Sequence, residues 1–372
     1  MAELVARWRS PGRVNLIGEH TDYNDGFCLP LAIEAACTAT VRPLDEPVLE
    51  IVSAQFDHPV ELALDALAPR SLPEPDAWAG YPAGVVWALR ERGHRLSGLS
   101  GLSIELDSTV PAGAGLASSA ALECSVAGAM NAMFGLGLSR PDLIAVARQA
   151  ENDFVGAPTG GMDQLASVYG QAGHVLLCDM RSLQVEPVPF DLAGAGLTLL
   201  VTDTRATHRL TDGGYGERRA DCEQAARQLG VPALRDAELE SLSRLAGDRL
   251  RKRARHVITE NARTLACAEL LRQGLVREIG PLLTASHASM RDDFENSVPE
   301  VDLAVQVMLA FDAYGARMTG GGFGGCVIGL FEPRQARAAA VAIDGAFAGR
   351  GYAAPVSFEV RPADGLHEVP LD

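Results

Sequence analysis

The segment VPAGAGLASSA, residues 110–120, limits the range of possible folds more than any other stretch of this sequence. A strand-like stretch precedes it at residues 102–106, and an Ala-rich stretch of helical length, residues 117–134, follows. Glycines let a backbone approach a ligand closely, and the free N–H groups at a helix start favour phosphate. Ser118 and Ser119, at that helix start, are suited to capping the helix, bonding a phosphate or binding Mg²⁺. Because a strand–glycine loop–helix unit is common, an ordinary serine-capped helix stays equally open.

The residues around this loop argue against several familiar cofactor and nucleotide sites. A Rossmann dinucleotide site requires an acidic residue about twenty residues beyond its glycines. No acidic residue occurs between Cys124 and Arg140. Lys252 is the only lysine among 32 basic residues, and it lies between two arginines. The chain therefore lacks the lysine that ends a Walker loop, and Lys252 lies in the wrong context for a protein kinase. A Schiff-base enzyme would have to use the same residue.

A second glycine-rich segment, RMTGGGFGGCV at residues 317–327, precedes a predicted strand at residues 327–331. Its glycines formally match GxGxxG, but they do not join a strand to a helix, so a Rossmann interpretation fails on context. Five glycines in six positions are entropically costly to fix. Close approach of this backbone to a ligand or to the first glycine loop is the simplest explanation. A flexible surface turn before the strand is the alternative.

The segment RVNLIGEHTDYN, residues 13–24, leads from a short apolar strand into a crowded polar turn, residues 18–26. Arrays of carboxylate, imidazole and amide groups suit sugar hydroxyls, because they offer donors and acceptors together. A solvated surface turn is the alternative, but so dense a cluster favours a binding function. No HExxH or similar spacing in the sequence supports a transition-metal site. The polar groups of the turn are Glu19, His20, Asp22, Tyr23 and Asn24.

The segment GGMDQ, residues 160–164, places Asp163 directly after a glycine pair among apolar residues, which makes it a candidate base. Glu151 lies twelve residues upstream, near the end of a predicted helix. An aspartate for proton transfer and a glutamate for Mg²⁺ would complete a phosphoryl-transfer site. Taken alone, each residue is also typical of a capping or surface acid.

Composition limits the partners and the compartment. The chain has 372 residues, a length that favours two to three domains, and a net charge of −16 that disfavours nucleic acid or an anionic membrane as partner. Its 7 cysteines are odd in number and form no CxxC pair, which argues against a disulfide framework and a cysteine zinc site. The first residues contain no apolar signal region, so we expect a cytoplasmic protein.

The predicted elements mix strands and helices without a regular βαβ repeat, which favours an α+β fold over a doubly wound sheet. The Pro-rich stretch at residues 187–189 is the predicted passage between two domains, residues 1–185 and 186–372, with the last strand free to return to the first domain. Predicted strands lie at residues 13–17, 29–32, 48–53, 102–106, 197–203, 327–331 and 357–361. Predicted helices lie at residues 78–93, 117–134, 141–153, 216–229, 255–273 and 298–314.

In this order, the segments resemble the GHMP kinases over nearly the whole chain, and most closely the members that phosphorylate galactose. Residues 12–24 look like the signature of those members, residues 111–120 like the family's second motif and residues 320–325 like its third. Residues 160–164 are similar to the segment with the family's catalytic aspartate. The resemblance implies two α+β domains with the active site in the cleft between them. It also implies a monomer that phosphorylates galactose at C1 with ATP and Mg²⁺.

Carried over by position, the resemblance implies Asp163 as the general base and Arg13 as its charged partner. Ser119 and Glu151 would hold Mg²⁺. The sugar would be bound by Glu19, His20, Asp22, Gly160 and Tyr215, the last lying in a Tyr-Gly-Glu-Arg-Arg segment similar to the family's substrate-contacting region. The ATP phosphates would be bound by Gly113, Gly115, Leu116 and Ser118, and the adenine would lie beside Trp78 and Tyr81.

The sequence departs from the family pattern at three places. Ala117 stands where the family usually has a serine, and Ala114 replaces a common glycine. Asp212-Gly-Gly replaces a more usual Gly-Ser-Glu, which leaves the pose of Tyr215 open.

Two other functions fit the same resemblance. One is a related kinase that phosphorylates N-acetylgalactosamine, arabinose or mevalonate. The Thr21-Asp22 pair favours galactose over these acceptors. The other is a non-catalytic sugar sensor, which we would expect to lack a group at the phosphoryl site. The four groups expected there, Arg13, Ser119, Glu151 and Asp163, are all present.

Overall fold

The structure is a computed structural model that describes residues 5–73, 75–94, 96, 100–157, 159–206 and 214–371. In these ranges strands and helices alternate irregularly, and the predicted α+β class is confirmed. The strands are β1 (Ala6–Asn15), β2 (Phe27–Cys28), β3 (Pro30–Leu44), β4 (Val48–Ser53), β5 (Val60–Ala63), β6 (Gly101–Ser108), β7 (His174–Asp179), β8 (Gln184–Pro189), β9 (Thr198–Asp203), β10 (Gly315–Thr319), β11 (Cys326–Phe331), β12 (Val356–Val360) and β13 (His367–Glu368). The helices are α1 (Gly80–Glu91), α2 (Ser118–Phe134), α3 (Arg140–Gln149), α4 (Met162–Tyr169), α5 (Gly214–Leu229), α6 (Asp248–Arg272), α7 (Gly280–Ser289), α8 (Pro299–Ala310) and α9 (Pro333–Arg350). Across the described ranges, every helix is too short or too polar to span a lipid bilayer.

The largest sheet has six strands in the order β13-β1-β3-β6-β4-β5. Its neighbours pair antiparallel except β4 and β6, which run parallel. Helix α2 packs on β1 and β3, and α1 and α3 pack against α2 in turn. The many Ala and Gly residues of α2 permit close contact on all these sides, so the helix is buried nearly all round, as its composition predicted. This packing brings the glycine loop before α2 beside the end of β1.

A second sheet of four strands, in the order β10-β11-β9-β12, carries α7, α8 and α9. The second glycine-rich segment, residues 320–325, is the turn between the antiparallel strands β10 and β11. Sequence analysis missed β10 and extended the preceding helix to residue 314, whereas α8 ends at Ala310 because the chain turns into β10 at Gly315. A third, small sheet joins β2 to the β7–β8 hairpin.

The predicted division of the chain after residue 185 falls inside β8, which pairs with β7 along its length. One large hydrophobic cluster contains residues from both sides of this point, among them Val175 and Leu199. Strand β13, near the end of the chain, pairs with β1 through Trp8 and Arg9 in the first sheet. The domain limits therefore stay a prediction.

The predicted helix at residues 141–153 is interrupted. Helix α3 ends at Gln149, and a π-helical turn, Ala150–Val155, follows. A π turn widens the spacing of the backbone hydrogen bonds and redirects the side chains it carries. Here it places Glu151 in the interior, where the residue is 3% exposed.

Candidate active site

Arg13, near the end of β1, and Asp163, in the first turn of α4, form a bidentate ion pair. Arg13 Nε lies 2.7 Å from Asp163 Oδ1, and Arg13 Nη2 lies 2.7 Å from Asp163 Oδ2. The remaining nitrogen, Nη1, donates to the carbonyl of Gly115 at 2.5 Å. Burial alone would lower the pKa of Arg13, but the charges of Asp163 and Glu19 outweigh it and raise that pKa. The planar guanidinium thus joins a strand, a helix and the first glycine loop as a fixed cation.

A cavity of about 290 Å³ opens beside this ion pair. The glycine pairs at residues 160–161 and 320–321 form part of its wall, so the backbone there is open to a ligand. The polar side chains around it offer donors and acceptors from several directions. The polar lining residues are Arg13, Glu19, His20, Asp22, Thr159, Asp163 and Tyr215. The structure therefore brings the predicted base, its partner and the predicted sugar-binding residues to one place.

Asp22 opens a 3-10 turn, Asp22–Asn24, and its carboxylate lies against Gly160. A Cβ atom at Gly160 would collide with that carboxylate, so a glycine is needed there. Burial, followed by the charge of Asp163, raises the pKa of Asp22 from 3.8 to about 6. Asp22 is therefore still mostly ionised at neutral pH, where it can accept hydrogen bonds from hydroxyl groups.

His20 has a left-handed backbone, with φ at 62°. Such a conformation is costly for a residue other than glycine and concentrates at functional sites. Its Nε2 lies 3.0 Å from the carbonyl of Gly321, which can only accept, and its Nδ1 lies 2.7 Å from the Tyr23 hydroxyl. Burial lowers the pKa of His20 to about 3, so the ring is neutral at pH 7, and Asn296 Nδ2 also lies 2.9 Å from its Nε2.

Glu19 joins the polar turn to the second glycine-rich segment. Its Oε1 accepts the N–H of Gly320 at 2.7 Å, and its Oε2 accepts from the amide of Asn15. Arg317 Nη1 lies 3.4 Å from the same carboxylate. Burial raises the pKa of Glu19, and the opposing effects of Arg317 and Asn15 do not cancel that rise. Segments 301 residues apart in the chain thus meet at one carboxyl group.

Ser119 and Glu151 meet although they are 32 residues apart. The Ser119 hydroxyl donates to Glu151 Oε1 at 2.9 Å, and the other oxygen accepts from Thr159 and Gln164, both at 2.7 Å. These three donors are neutral, and burial followed by the charge of Asp163 raises the pKa of Glu151. A hard divalent cation prefers oxygen ligands and few of them from protein, so this carboxylate and hydroxyl fit Mg²⁺.

The two glycine-rich loops meet backbone to backbone. A Cβ atom at Gly320 would lie 3.4 Å from the carbonyl oxygen of Gly115, and one at Gly325 would lie 3.5 Å from that of Ala114. The carbonyl of Leu116 accepts the N–H of Arg13 at 3.0 Å. The close approach between the loops that the sequence predicted is confirmed, and Leu116 acts there through its backbone.

The start of α2 corrects the expectation of a serine cap. Ala117, with φ at 60°, occupies the N-cap position and makes no side-chain cap bond. Ser118 is the first helical residue and is half-buried, whereas the hydroxyl of Ser119 turns to Glu151. Gly113 lies in the exposed part of the loop with φ at 73°.

Trp78 and Tyr81 lie outside the cavity. The Trp78 ring stacks on Phe56, with ring centroids 4.3 Å apart and an interplanar angle of 5°. Burial, followed by the charge of Glu151, raises the pKa of Tyr81 to about 12. The predicted departure at Asp212 and Gly213 lies outside the described residues.

Sequence analysis missed a layer of residues behind the polar turn. It assigned α6 only as an amphipathic helix, yet Glu260 of that helix is fully buried and accepts the N–H of Gly18 at 3.0 Å. The available signal was position: Glu260 lies three residues after Val257 and four before Thr264, on the buried stripe of the helix. A charged residue on such a stripe needs a partner, which the sequence pattern does not identify.

Known proteins match this chain along nearly its whole length. The model "GHMP kinases N terminal domain" matches residues 80–171, "GHMP kinases C terminal" matches residues 267–348 and "Galactokinase galactose-binding signature" matches residues 2–43. The galactokinase of Streptomyces coelicolor is 50% identical over 374 residues, covering 99% of this chain and 95% of that protein. The galactokinase of Mycobacterium tuberculosis is 42% identical over 368 residues, covering 98% of this chain and 99% of that protein.

A solved structure agrees with these matches. Lactococcus lactis galactokinase complexed with galactose superposes with a TM-score of 0.91 at 29% identity, covering 98% of this chain and 95% of that chain. The shared fold, the full-length identity and the signature match all indicate the same family. The chain belongs to the GHMP kinases and, within them, to the galactokinases.

Proposed function

We propose that this protein transfers the γ-phosphoryl group of ATP to the C1 hydroxyl of galactose, giving galactose 1-phosphate and ADP. The observation that carries the proposal is the bidentate pair of Arg13 and Asp163 on the wall of a polar cavity of about 290 Å³. Membership of the galactokinases supports the reaction, and the likeness to a galactokinase complexed with galactose supports the sugar.

Asp163 is the proposed base. A sugar hydroxyl is a weak nucleophile at neutral pH and must lose its proton during attack on phosphorus. Arg13 occupies one lone pair on each carboxylate oxygen of Asp163, and the remaining lone pairs are free to accept the hydroxyl proton. The first turn of α4 also favours negative charge at Asp163, through the helix dipole.

Arg13 has a second role in this proposal. Its guanidinium holds Asp163 in place and offsets negative charge on the transferring phosphoryl group. Because Lys252 pairs with Glu295 on another part of the molecule, the phosphoryl group relies on Arg13 and on backbone N–H groups. The loop at residues 113–118 supplies those N–H groups at the start of α2.

The acceptor sugar is proposed to lie between the polar turn and the two glycine pairs. The carboxylates of Glu19 and Asp22 accept from sugar hydroxyls, and Tyr215 can donate or accept. Galactose and glucose differ only in the orientation of one hydroxyl, so size cannot separate them. A buried carboxylate left without its hydroxyl partner can cost a factor of about 10⁴ in kcat/KM, which is enough to exclude glucose.

Ser119 and Glu151 are the residues we propose to hold Mg²⁺. A bound Mg²⁺ would neutralise charge on the phosphates of ATP. Gln164 and Thr159 fix the Glu151 carboxylate from the side away from Ser119 by donating to its other oxygen. Gln164 follows Asp163 directly, so one turn of α4 orients both the proposed base and the proposed metal ligand.

The proposal has three further parts. Adenine binds at Trp78 and Tyr81, the protein is a monomer, and it is located in the cytoplasm. Trp78 is half-buried and already stacked on one side by Phe56, so a purine would have to use its other surfaces. The match of residues 2–43 to the galactose-binding signature supports galactose over mevalonate, N-acetylgalactosamine or arabinose. A non-catalytic sensor is disfavoured because the groups expected for phosphoryl transfer contact one another.

A panel assay tests the proposal. ATP consumption is measured with galactose, glucose, N-acetylgalactosamine, arabinose and mevalonate as acceptors, and the phosphorylated position is identified by NMR. Galactose 1-phosphate should be the main product, with glucose turned over at least about 10³-fold less efficiently. Comparable kcat/KM for glucose and galactose, or better turnover of another acceptor, would assign this chain to a different acceptor.

A further inference from the structure

Helix α6 lies directly behind the polar turn and bonds the backbone on both sides of Glu19. His256 Nε2 lies 3.1 Å from the carbonyl oxygen of Glu19. Glu260 Oε1 accepts the N–H of Gly18 at 3.0 Å. Both side chains are fully buried, and neither lines the cavity. The two bonds therefore lie on either side of Glu19, whose carboxylate also accepts the N–H of Gly320.

The same helix holds the far end of the turn. Asn261 Oδ1 accepts the N–H of Phe27 at 2.8 Å, and a Cβ atom at Gly26 would collide with that oxygen. At the near end, a Cβ atom at Gly18 would lie 3.0 Å from Thr264 Oγ1. Helix and turn are thus in contact without space between them, so a shift of the helix would move the turn.

The protonation of His256 is set by its surroundings. The carbonyl of Glu19 can only accept, so Nε2 carries the proton, and Nδ1, 2.9 Å from Ser289 Oγ, accepts. Burial lowers the pKa of His256 to about 4, although Glu260 opposes this, so the ring is neutral at pH 7. A neutral ring makes both bonds at once without adding charge behind the site.

Glu260 is held by groups from three elements. Ser286 Oγ on α7 donates to its Oε1 at 2.6 Å, and Arg263 Nη2 lies 2.7 Å from its Oε2. Arg317 on β10 donates to Ser286 through Nε and to the carbonyl of Leu16 through Nη1. This network connects the second sheet to the strand end that leads into the polar turn.

We propose that His256 and Glu260 are positioning residues for the sugar: by fixing the backbone at Gly18 and Glu19, they hold the Glu19 and His20 side chains in the geometry that binds the acceptor. The inference rests on the proposed function, since it assigns these residues to the acceptor side of that reaction. We propose that ATP binds at the first glycine loop, residues 113–118. The hydrogen bonds of His256 and Glu260 to the turn lie on the sugar side. The sugar affinity should therefore depend on these two residues more than the ATP affinity does.

The test uses His256→Ala, which removes the donor to Glu19, and His256→Gln, which returns an amide donor and an acceptor. For His256→Ala we expect KM for galactose to rise about tenfold or more, with KM for ATP within about twofold. His256→Gln should recover most of the loss. If His256→Ala does not fold, Glu260→Gln, which replaces the charged acceptor for the Gly18 N–H by a weaker neutral one and removes the ion pair with Arg263, should raise KM for galactose by about threefold or more.

Val257→Ala is the matched control, because it removes buried methyl groups from the same helix without removing a hydrogen bond to the turn. It should lower the melting temperature and leave both KM values unchanged. A folded His256→Ala or Glu260→Gln enzyme whose KM for galactose matches the parent would overturn the inference. So would an equal rise in the KM for ATP. Failure of the parent to phosphorylate galactose would refute the proposed function instead, and the same variants would then be compared on the accepted sugar.

Discussion

Buried carboxyl groups on the two sides of the polar turn have pKa values that are shifted in opposite directions. On the cavity side, burial and the charge of Asp163 raise the pKa of Asp22 to about 6. On the helix side, burial alone would also raise the pKa of Glu260, but Arg263, His256 and Arg317 outweigh it and lower that pKa to about 2.

Because of this difference in pKa, we assign the carboxyl group on the cavity side to ligand binding and the carboxyl group on the helix side to support of the fold. The helix-side carboxylate is matched by cations, so it stabilises the fold and has little capacity left for a ligand. The cavity-side carboxylate of Asp22 lies near the charge of Asp163, so its burial is costly for the empty protein and it is free to accept hydroxyl donors. Neutralising Asp22 on the cavity side should therefore reduce activity with little loss of stability, whereas removing Glu260 on the helix side should lower stability as well as the affinity for galactose.

The largest effect is expected on the cavity side, from Asp163→Asn. The amide keeps an acceptor for Arg13 but cannot accept the hydroxyl proton, so kcat should fall by a factor of about 10²–10⁴. Galactose binding, measured by calorimetry, should persist, although the melting temperature should fall because Arg13 loses its charged partner. A folded Asp163→Asn enzyme with parent-like kcat would show that the reaction does not use this carboxylate.

The next largest effect is expected on the helix side, from Glu260→Ala. Removing one partner of a buried ion pair leaves the other charge uncompensated, which typically costs about 3–5 kcal/mol of stability. Here the stranded groups would be Arg263 and Arg317. Urea denaturation measures the loss, with Asp22→Asn as the cavity-side counterpart, whose stability should be unchanged or slightly higher. Equal losses in the two variants would remove the distinction between the two sides.

A smaller effect is expected at the proposed metal ligands. Ser119→Ala and Glu151→Gln should each raise the Mg²⁺ concentration for half-maximal activity by about 10–100-fold. The donors to Glu151 are neutral, so neither variant leaves one of them as an unpaired charge, and the melting temperatures of both should change little. Thr159→Val offers a milder test, because it removes one donor to Glu151 and keeps both proposed ligands. Overlapping Mg²⁺ titrations for parent and variants would refute the metal roles.

The smallest effect is a pH dependence that differs between activity and stability. Ionised Asp22 accepts sugar hydroxyls, so kcat/KM for galactose should fall about tenfold per pH unit below about pH 6. Its folded pKa exceeds its ordinary value of 3.8, so protonation of Asp22 favours the fold as pH falls through this range. Glu260 has the opposite sign: its contribution to stability is complete above its ordinary pKa of 4.5 and is lost as pH falls towards about 2.

Measuring kcat/KM and urea stability on the same samples from about pH 4 to about pH 8 checks this order. Activity should decline first on acidification, and the Glu260-dependent part of stability should follow. Simultaneous loss of both would mean that one group, or general unfolding, controls the acid limb.

The elements that sequence predicted well are those whose side chains follow one dominant pattern. Helix α2 was predicted within one residue, because its small apolar residues leave no polar face and its C-terminal limit is marked by Gly135. The polar turn and Asp163 were found because several polar groups or glycines cluster within a few positions. Their meeting in one cavity followed from the family resemblance, since spacing along the chain does not show which segments touch.

Two of the features that sequence analysis missed, strand β10 and Glu260, depend on long-range pairing. Strand β10 is followed by a glycine run and contains Arg317, a buried arginine whose partners include the carbonyls of Asn15 and Leu16, more than 300 residues away. Helix α4 is only eight residues long and is preceded by two glycines, so its periodicity is too short to recognise. Glu260 was overlooked because a glutamate in an amphipathic helix is ordinarily solvated, and two of its partners, Gly18 and Ser286, lie outside that helix.

The pairing of β13 with β1 has a consequence for how the protein is made. In the order of synthesis β1 precedes the other described strands, and β13, which covers the outer edge of β1, follows all of them. During synthesis, that edge exposes unpaired backbone groups able to pair with another chain. We therefore expect truncation before residue 365 to yield nascent or released chains that associate through β1, and a chaperone that shields this edge to act until β13 has been synthesised.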